Sequence, residues 1–131
     1  MTLSHGQLQQ RCLLLDTQDG IETLPGGEAF WAGLAVGQYP QVDHGRLVSC
    51  FDSDADWMQW ECHPHGEELV SLMRGAVDFV LEMPDGPQTV ALRGRGAFVV
   101  VPRGIWHTAN VLEASTLLFV TVGRGTRHRP R

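Results

Sequence analysis

Four side chains that can ligate a metal ion lie in two short regions of the sequence. Glu61 and His63 are separated by one residue, Glu68 follows a turn, and His107 lies far downstream, after a buried run of valines. Carboxylate and imidazole groups together are ligands that Mn, Fe, Ni or Zn accept. Three or four such groups that converge from different strands and leave one coordination position open form a catalytic metal site. These residue types therefore indicate a candidate metal centre.

The segment around Glu61 has a polar and an apolar side. Because alternate side chains of an extended strand share a face, Trp57 and Gln59 point the same way as Glu61 and His63. The opposite face is formed by Met58, Trp60 and Cys62. This alternation predicts that Trp57 and Gln59 contact a ligand, and it favours a buried structural thiol over a catalytic one for the cysteine.

Short β-strands are predicted to position these residues. From residue 46 onward, runs rich in Val, Phe, Leu and Trp alternate with turn residues about every 8 to 12 positions, as in a β-sandwich or barrel. No long helical segment separates the runs, so a parallel sheet with crossover helices is excluded. Gly75 is predicted to let the chain reverse between two strands. The predicted strands are residues 46–51, 57–63, 68–74, 76–82, 88–92, 97–101, 106–112 and 115–122.

The two ends of the chain carry weaker signals. An edge strand is predicted at 12–15 and a short amphipathic helix at 28–36, and residues 1–45 as a whole are expected to pack on a barrel formed by 46–122. Residues 123–131 are expected to form a flexible tail, because they are terminal and contain glycine and proline. Their arginines are not interleaved with aromatic residues, which favours a solvated terminus over a binding site. At 131 residues the chain is expected to form one domain.

Composition excludes several classes of partner. The formal net charge is -5 and lysine is absent, which argues against a nucleic-acid partner. No apolar run approaches the ~20 residues that cross a bilayer, and no signal peptide is recognisable, so we expect a cytoplasmic protein with no membrane partner. Cys12, Cys50 and Cys62 lack C-x-x-C spacing and are odd in number, which indicates reduced thiols.

Residues 96–107 resemble the second motif of the cupin family. They fit its pattern G-x5-P-x-G-x2-H, from Gly96 to His107. The family motif usually continues to an asparagine four residues after the histidine, whereas Asn110 lies one residue earlier here. This motif is the more specific half of the resemblance, which covers residues 46–122.

The first cupin motif, G-x5-H-x-H-x3,4-E-x6-G, is also recognisable. His63, Glu68 and Gly75 match its second histidine, its glutamate and its last glycine. Glu61 stands where the family has its first histidine, and the first glycine is missing. Residues 60–68 are similar to the W-E-x-H-P-x-G-D-E stretch of small stand-alone bacterial cupins.

The resemblance implies a fold and a metal centre. The fold is all-β, a double-stranded β-helix or jelly-roll barrel, with one short N-terminal helix. The divalent transition metal, Mn, Fe, Ni or Zn, would be held by Glu61, His63, Glu68 and His107. Glu61 is alternatively a general base, or a partner of Arg103 or Arg74. His65, placed in a turn near the pocket mouth, and Arg103 are candidates to orient an anionic substrate.

The same resemblance implies chemistry on a small polar organic molecule, by isomerisation, dioxygenation or decarboxylation. The alternative is a non-catalytic small-ligand-binding or sensor protein, with or without a metal. A structural dimer with a vestigial pocket is disfavoured, because buried unpaired charges are costly. A homodimer is expected, since Met58, Trp60 and the N-terminal strand offer an apolar contact surface.

Overall fold

A computed structural model describes all residues, 1–131. The chain forms nine β-strands, with one α-helix and one 3₁₀ helix between the second and third strands. The helices are α1 (Glu28–Ala35) and the 3₁₀ helix Pro40–Asp43. The strands are β1 (Cys12–Asp16), β2 (Ile21–Leu24), β3 (Gly45–Ser53), β4 (Gln59–Cys62), β5 (Glu68–Met83), β6 (Gly86–Arg93), β7 (Phe98–Val101), β8 (His107–Thr121) and β9 (Arg127–Pro130).

The strands form one curled, entirely antiparallel sheet. One part has the order β2-β1-β3-β8-β4-β9, and β5, which pairs with β8, also pairs with β6 and β7. The two longest strands, β5 and β8, therefore connect the two halves of the barrel. The predicted all-β barrel with one short helix is confirmed. No helix is long and apolar enough to cross a bilayer.

Gly75 bends a strand and does not reverse it. The sequence predicts separate strands at 68–74 and 76–82, but β5 runs through both, and β8 likewise spans the predicted strands 106–112 and 115–122. Gly75 has a φ of 94°, and the register between β5 and β8 shifts on either side of it. The Ser115 hydroxyl accepts a hydrogen bond from the Ala76 amide at 3.0 Å. The prediction was wrong because a glycine with positive φ serves a bulge as well as a turn.

Two buried apolar clusters stabilise the fold, one in the barrel and one under the N-terminal segment. The larger fills the space between β5, β6, β7 and β8, and Phe79, which is fully buried, is its largest member. The smaller joins residues of β1, β2, α1 and the 3₁₀ helix to Leu47 of β3. This smaller cluster, which runs from Cys12 to Leu47, therefore joins the N-terminal segment to β3.

The C-terminal residues form a strand where the sequence predicts a flexible tail. β9 pairs with β4 along its length, from Gln59 opposite Pro130 to Cys62 opposite Arg127. The guanidinium of Arg129 lies 5.3 Å from the Trp60 ring centre and 4.6 Å from that of Trp106. These contacts cover an otherwise unpaired strand edge and add cation–π attraction.

The expected homodimer stays a prediction. Met58 is largely exposed, whereas Trp60 is covered on one face by Arg129 of the same chain. All three cysteines are buried and free, as expected for reduced thiols.

Candidate metal centre

The four candidate ligands come from three strands and one turn. Glu61 lies on β4, and His63 follows directly after that strand. Glu68 is the first residue of β5 and His107 the first residue of β8. β4 and β8 meet with Glu61 opposite His107. One ligand atom from each of the four residues lies within 4.8 Å of those of the other three, so the structure brings together the set that the sequence predicts.

The donor atoms are close but leave three polar atoms without a hydrogen bond. The Nε2 atom of His63 lies 2.8 Å from Glu61 Oε1 and 3.1 Å from Glu68 Oε2. The Nε2 atom of His107 lies 3.2 Å from Glu68 Oε1. Even so, when both imidazoles are neutral, their Nε2 atoms and Glu68 Oε1 are buried without a hydrogen bond. Unpaired buried polar atoms are costly, and an ion bound among them would satisfy all three.

Hydrogen bonds fix the histidine tautomers that a metal requires. His107 Nδ1 lies 3.0 Å from the carbonyl oxygen of Ile105, which can only accept, so Nδ1 carries the proton. His63 Nδ1 lies 2.9 Å from Thr126 Oγ1, and that hydroxyl donates its own proton to the Gly123 carbonyl at 2.8 Å. His63 Nδ1 is therefore also the donor. Each neutral imidazole then presents its Nε2 lone pair to the centre.

Hydrogen bonds also hold the two carboxylates. The Thr121 hydroxyl donates to Glu68 Oε2 at 2.6 Å, which leaves Oε1 of Glu68 facing His107. On the other side of the site, His128 Nε2 lies 3.3 Å from Glu61 Oε2. Sequence analysis missed Thr121, Thr126 and His128. Of these three residues, only Thr121 could have been found from the strand alternation. It follows buried Phe119 by two residues and therefore lies on the same face of β8.

The charges of the centre are unbalanced in the metal-free chain. Burial lowers the pKa of His63, but the carboxylates of Glu61 and Glu68 outweigh it and raise the pKa to about 9. Burial raises the pKa of Glu68, but His107 and His63 lower it below its ordinary value. The pKa of Glu61 is likewise lowered, by His128 and His63 against the effect of burial. The centre thus contains two carboxylates whose pKa values are lowered, an arrangement suited to a cation.

No family model and no curated protein matches the sequence. Among solved structures, oxalate oxidase in complex with glycolate matches with a TM-score of 0.55 and 17% identity, over 70% of this chain and 50% of that one. Hydroquinone 1,2-dioxygenase from Sphingomonas sp. TTNP3 has a TM-score of 0.50 and 16% identity, over 58% of each chain. Both are cupin-fold enzymes. This chain has the cupin fold. A cupin-2 domain protein from Shewanella frigidimarina NCIMB 400 also matches, at 17% identity over 66% of this chain and 71% of that one, with a TM-score of 0.44.

The chain spans between 50% and 71% of the lengths of these three proteins. At this low identity the likeness establishes the shared fold, and the activities remain those of the named proteins.

A cavity of about 990 Å³ opens from the candidate metal centre. Glu61, His63 and Glu68 line one end, and α1 and the 3₁₀ helix contribute to the other. His107 lies beneath this surface, fully buried and stacked on Phe79 with ring centres 5.5 Å apart. The N-terminal segment of the chain therefore builds part of the pocket wall.

Of the four residues that the sequence predicts to contact a substrate, two line the cavity and two do not. Trp57 and Gln59 line the cavity, with the Trp57 ring 6.4 Å from that of His107. His65 and Arg103 do not line it and are exposed. Both lie in turns that face solvent, His65 between β4 and β5 and Arg103 before β8. Their expected role in orienting an anionic substrate at the mouth stays a prediction.

The side of β4 opposite the site has no reactive group. Cys62 is buried, and burial raises the pKa of its thiol although Arg127 and Arg129 lower it. Trp60 and Trp106 contact arginines of β9 on this side. The expectation of a structural cysteine agrees with this placement.

Proposed function

We propose that this cupin binds one divalent transition metal ion and acts on a small organic molecule in the adjoining cavity. His63, Glu68 and His107 would hold the ion, with Glu61 as the fourth ligand or as a general base. The observation that carries the proposal is the convergence of three buried polar atoms that have no hydrogen bond when the imidazoles are neutral: the Nε2 atoms of both histidines and Glu68 Oε1. A protein core rarely contains such a group unless something binds there.

The donor set narrows the choice of ion. Two imidazoles and two carboxylates form a harder and more anionic set than three imidazoles and one carboxylate. This composition favours Mn or Fe over Zn or Cu, and Ni accepts the same ligands. Both histidines have Nδ1 hydrogen-bonded and the Glu68 carboxylate is held by Thr121, so the ligands are already oriented.

Glu61 is the residue best placed to move a proton. Its side chain is 27% exposed at the cavity wall, while those of His63, Glu68 and His107 are at most 3% exposed. His128 contacts Oε2 of Glu61, and Oε1 lies 2.8 Å from His63 Nε2. Oε1 would be released toward a substrate once a bound ion takes the Nε2 lone pair of His63. A bound divalent ion would supply a Lewis acid and an open coordination position for a substrate oxygen or for O₂.

Isomerisation, dioxygenation and decarboxylation are all compatible with these parts, because one fold hosts many chemistries. Two fold neighbours, the oxalate oxidase and the hydroquinone dioxygenase, are by name enzymes of small organic molecules. Their names support a small-molecule substrate and chemistry with O₂ as the first reaction class to screen.

Elemental analysis tests the proposal. Protein purified without a metal-affinity tag or chelator is expected to contain about one transition metal ion per chain, and His107→Ala is expected to remove it with the fold intact. His44→Ala is the matched control, because His44 is exposed and lies outside the site. A chain that binds no ion after incubation with Mn, Fe, Ni or Zn would refute the metal centre. A chain that binds metal but turns over no substrate in a broad screen would be a binding protein instead.

A further inference from the structure

A row of aromatic rings connects the N-terminal helix to the candidate metal centre. The Trp31 ring centre on α1 lies 5.4 Å from that of Phe51, which lies 5.9 Å from that of Phe119. Phe119 in turn lies 6.0 Å from Trp57, whose ring is 6.4 Å from His107. All except the histidine line the cavity, and Tyr39 adds a fifth aromatic side chain. A flat ring that enters the cavity therefore meets aromatic faces and edges along its way.

The charged groups in the cavity wall are all acidic, apart from two histidines. The carboxylates are those of Asp43, Asp52, Glu61 and Glu68. None of the ten arginines lines the cavity, and the chain has no lysine. A divalent ion would offset the charges of Glu61 and Glu68 but would leave those of Asp43 and Asp52. An organic anion would find no basic side chain there except a protonated histidine.

We propose that this cavity takes an uncharged or cationic aromatic molecule and discriminates against organic anions. The aromatic row supplies ring stacking, and for a cationic molecule also cation–π attraction. The acidic lining raises the free energy of a bound anion. The inference rests on the proposed function for the reaction that follows binding. The charge preference itself belongs to the cavity walls and is measurable without metal.

Three phenols with the same ring and different charge test this preference. Tyramine is cationic, tyrosol is uncharged and para-hydroxyphenylacetate is anionic. Calorimetric titration of each into metal-free and metal-loaded protein is expected to show the anion binding at least about tenfold more weakly than the other two. An anion that binds as tightly as tyrosol in both forms would overturn the proposal, as would the absence of binding by all three phenols.

One pair of variants tests whether the charge preference is set by the cavity. Asp43→Lys is expected to strengthen binding of the anionic phenol by about tenfold, because it replaces an acidic wall residue with a basic one. Asp85→Lys is the matched control, since Asp85 is exposed in the turn between β5 and β6 and changes the net charge equally. Equal effects of the two variants would refute a preference set by the cavity.

The aromatic row is tested separately. Phe51→Ala is expected to weaken binding of all three phenols by about tenfold without changing metal content, because Phe51 is 43% exposed and contributes little to the core. Phe98→Ala is the control, since Phe98 is 63% exposed and lies outside the cavity. Unchanged binding in Phe51→Ala would contradict the aromatic assignment. If the chain binds no metal and the metal-free protein still prefers tyrosol to the anion, the proposed metal function fails and this inference stands.

Discussion

The Nδ1 atom of His63 lies 2.9 Å from the hydroxyl oxygen of Thr126, which belongs to the segment just before β9. Because Thr126 gives its own proton to the Gly123 carbonyl, it can only accept from the imidazole. This contact keeps the proton of His63 on Nδ1 and leaves Nε2 free for the candidate metal. A residue near the C-terminus thus controls a ligand that lies in the first cupin motif.

Replacing Thr126 with valine is therefore expected to weaken metal binding. Valine has nearly the same shape but no acceptor, so His63 loses the contact that fixes its tautomer and ring orientation. Loss of such an outer partner lowers metal affinity by about 10- to 100-fold. Competition with a chromophoric chelator measures the effect. Thr126→Ser keeps the hydroxyl and should bind metal as tightly as the original chain. Equal affinity in the valine variant would show that Thr126 does not act on the site.

Metal binding is expected to release a proton. In the metal-free chain the pKa of His63 is raised from 6.5 to about 9, so at about pH 8 the imidazole is protonated in the folded state and neutral in the unfolded state. The stability contributed by this proton is fully present below about pH 6.5 and is lost as the pH rises through about 9. A metal ion needs the neutral imidazole and must displace the proton. Each unit of pH below about 9 should then lower the apparent metal affinity by about tenfold.

Calorimetric titration with metal in two buffers of different ionisation enthalpy measures this release. At about pH 8 it should give close to one proton per ion bound. His128→Ala serves as the control, because the carboxylate of Glu61 also raises the pKa of His128, and this variant should leave most of the release in place. A binding enthalpy that does not depend on the buffer would contradict the protonated state of His63.

Arg129 is expected to stabilise the fold through two tryptophans. Its guanidinium lies over both Trp60 and Trp106 and also pairs with Glu82. Arg129→Ala should lower the free energy of unfolding by about 1 kcal/mol, because both cation–π contacts and the cover on the rings are lost. Chemical denaturation monitored by tryptophan fluorescence provides the measurement. Arg124→Ala is the matched control, since that side chain is exposed and makes no such contact. A similar change in both variants would assign the effect to net charge.

The strand alternation and the two motifs were sufficient to predict the convergence of the ligands. Because side chains alternate with a period of two, Glu61 and His63 had to share a face, and the spacing of the second motif placed His107 at the start of a strand. The spacing to Gly75 also favoured Glu68 as the carboxylate of the first motif, and the structure buries Glu68.

The C-terminal strand could not be predicted from its own sequence. Residues 127–130 read Arg-His-Arg-Pro, which lacks the apolar and β-branched residues typical of strands. Their order depends on pairing with β4 and on contacts with Trp60 and Trp106, which are distant in sequence. Local propensity carries no information on such contacts. The roles of Thr126 and His128 at the site were missed for the same reason.

Gly75 offers the sharpest test of the bend that the sequence did not reveal. Its φ of 94° is unfavourable for any other residue, and a β-carbon there would overlap the Ser115 hydroxyl and the Ala114 carbonyl. Gly75→Ala should therefore combine backbone strain of about 1 to 3 kcal/mol with an overpacking cost of similar size.

Gly86→Ala separates these two contributions. Gly86 also has a positive φ, of 118°, but a β-carbon there would meet nothing within 4 Å, so only the backbone strain should appear. Urea denaturation of both variants gives the difference in unfolding free energy. We expect Gly75→Ala to be the less stable by about 1 to 3 kcal/mol, and it should also weaken the pairing of β5 with β8. Equal stability of the two variants would show that the added β-carbon at Gly75 is accommodated without cost because β5 and β8 move apart there. The bend would then not be a fixed part of the barrel.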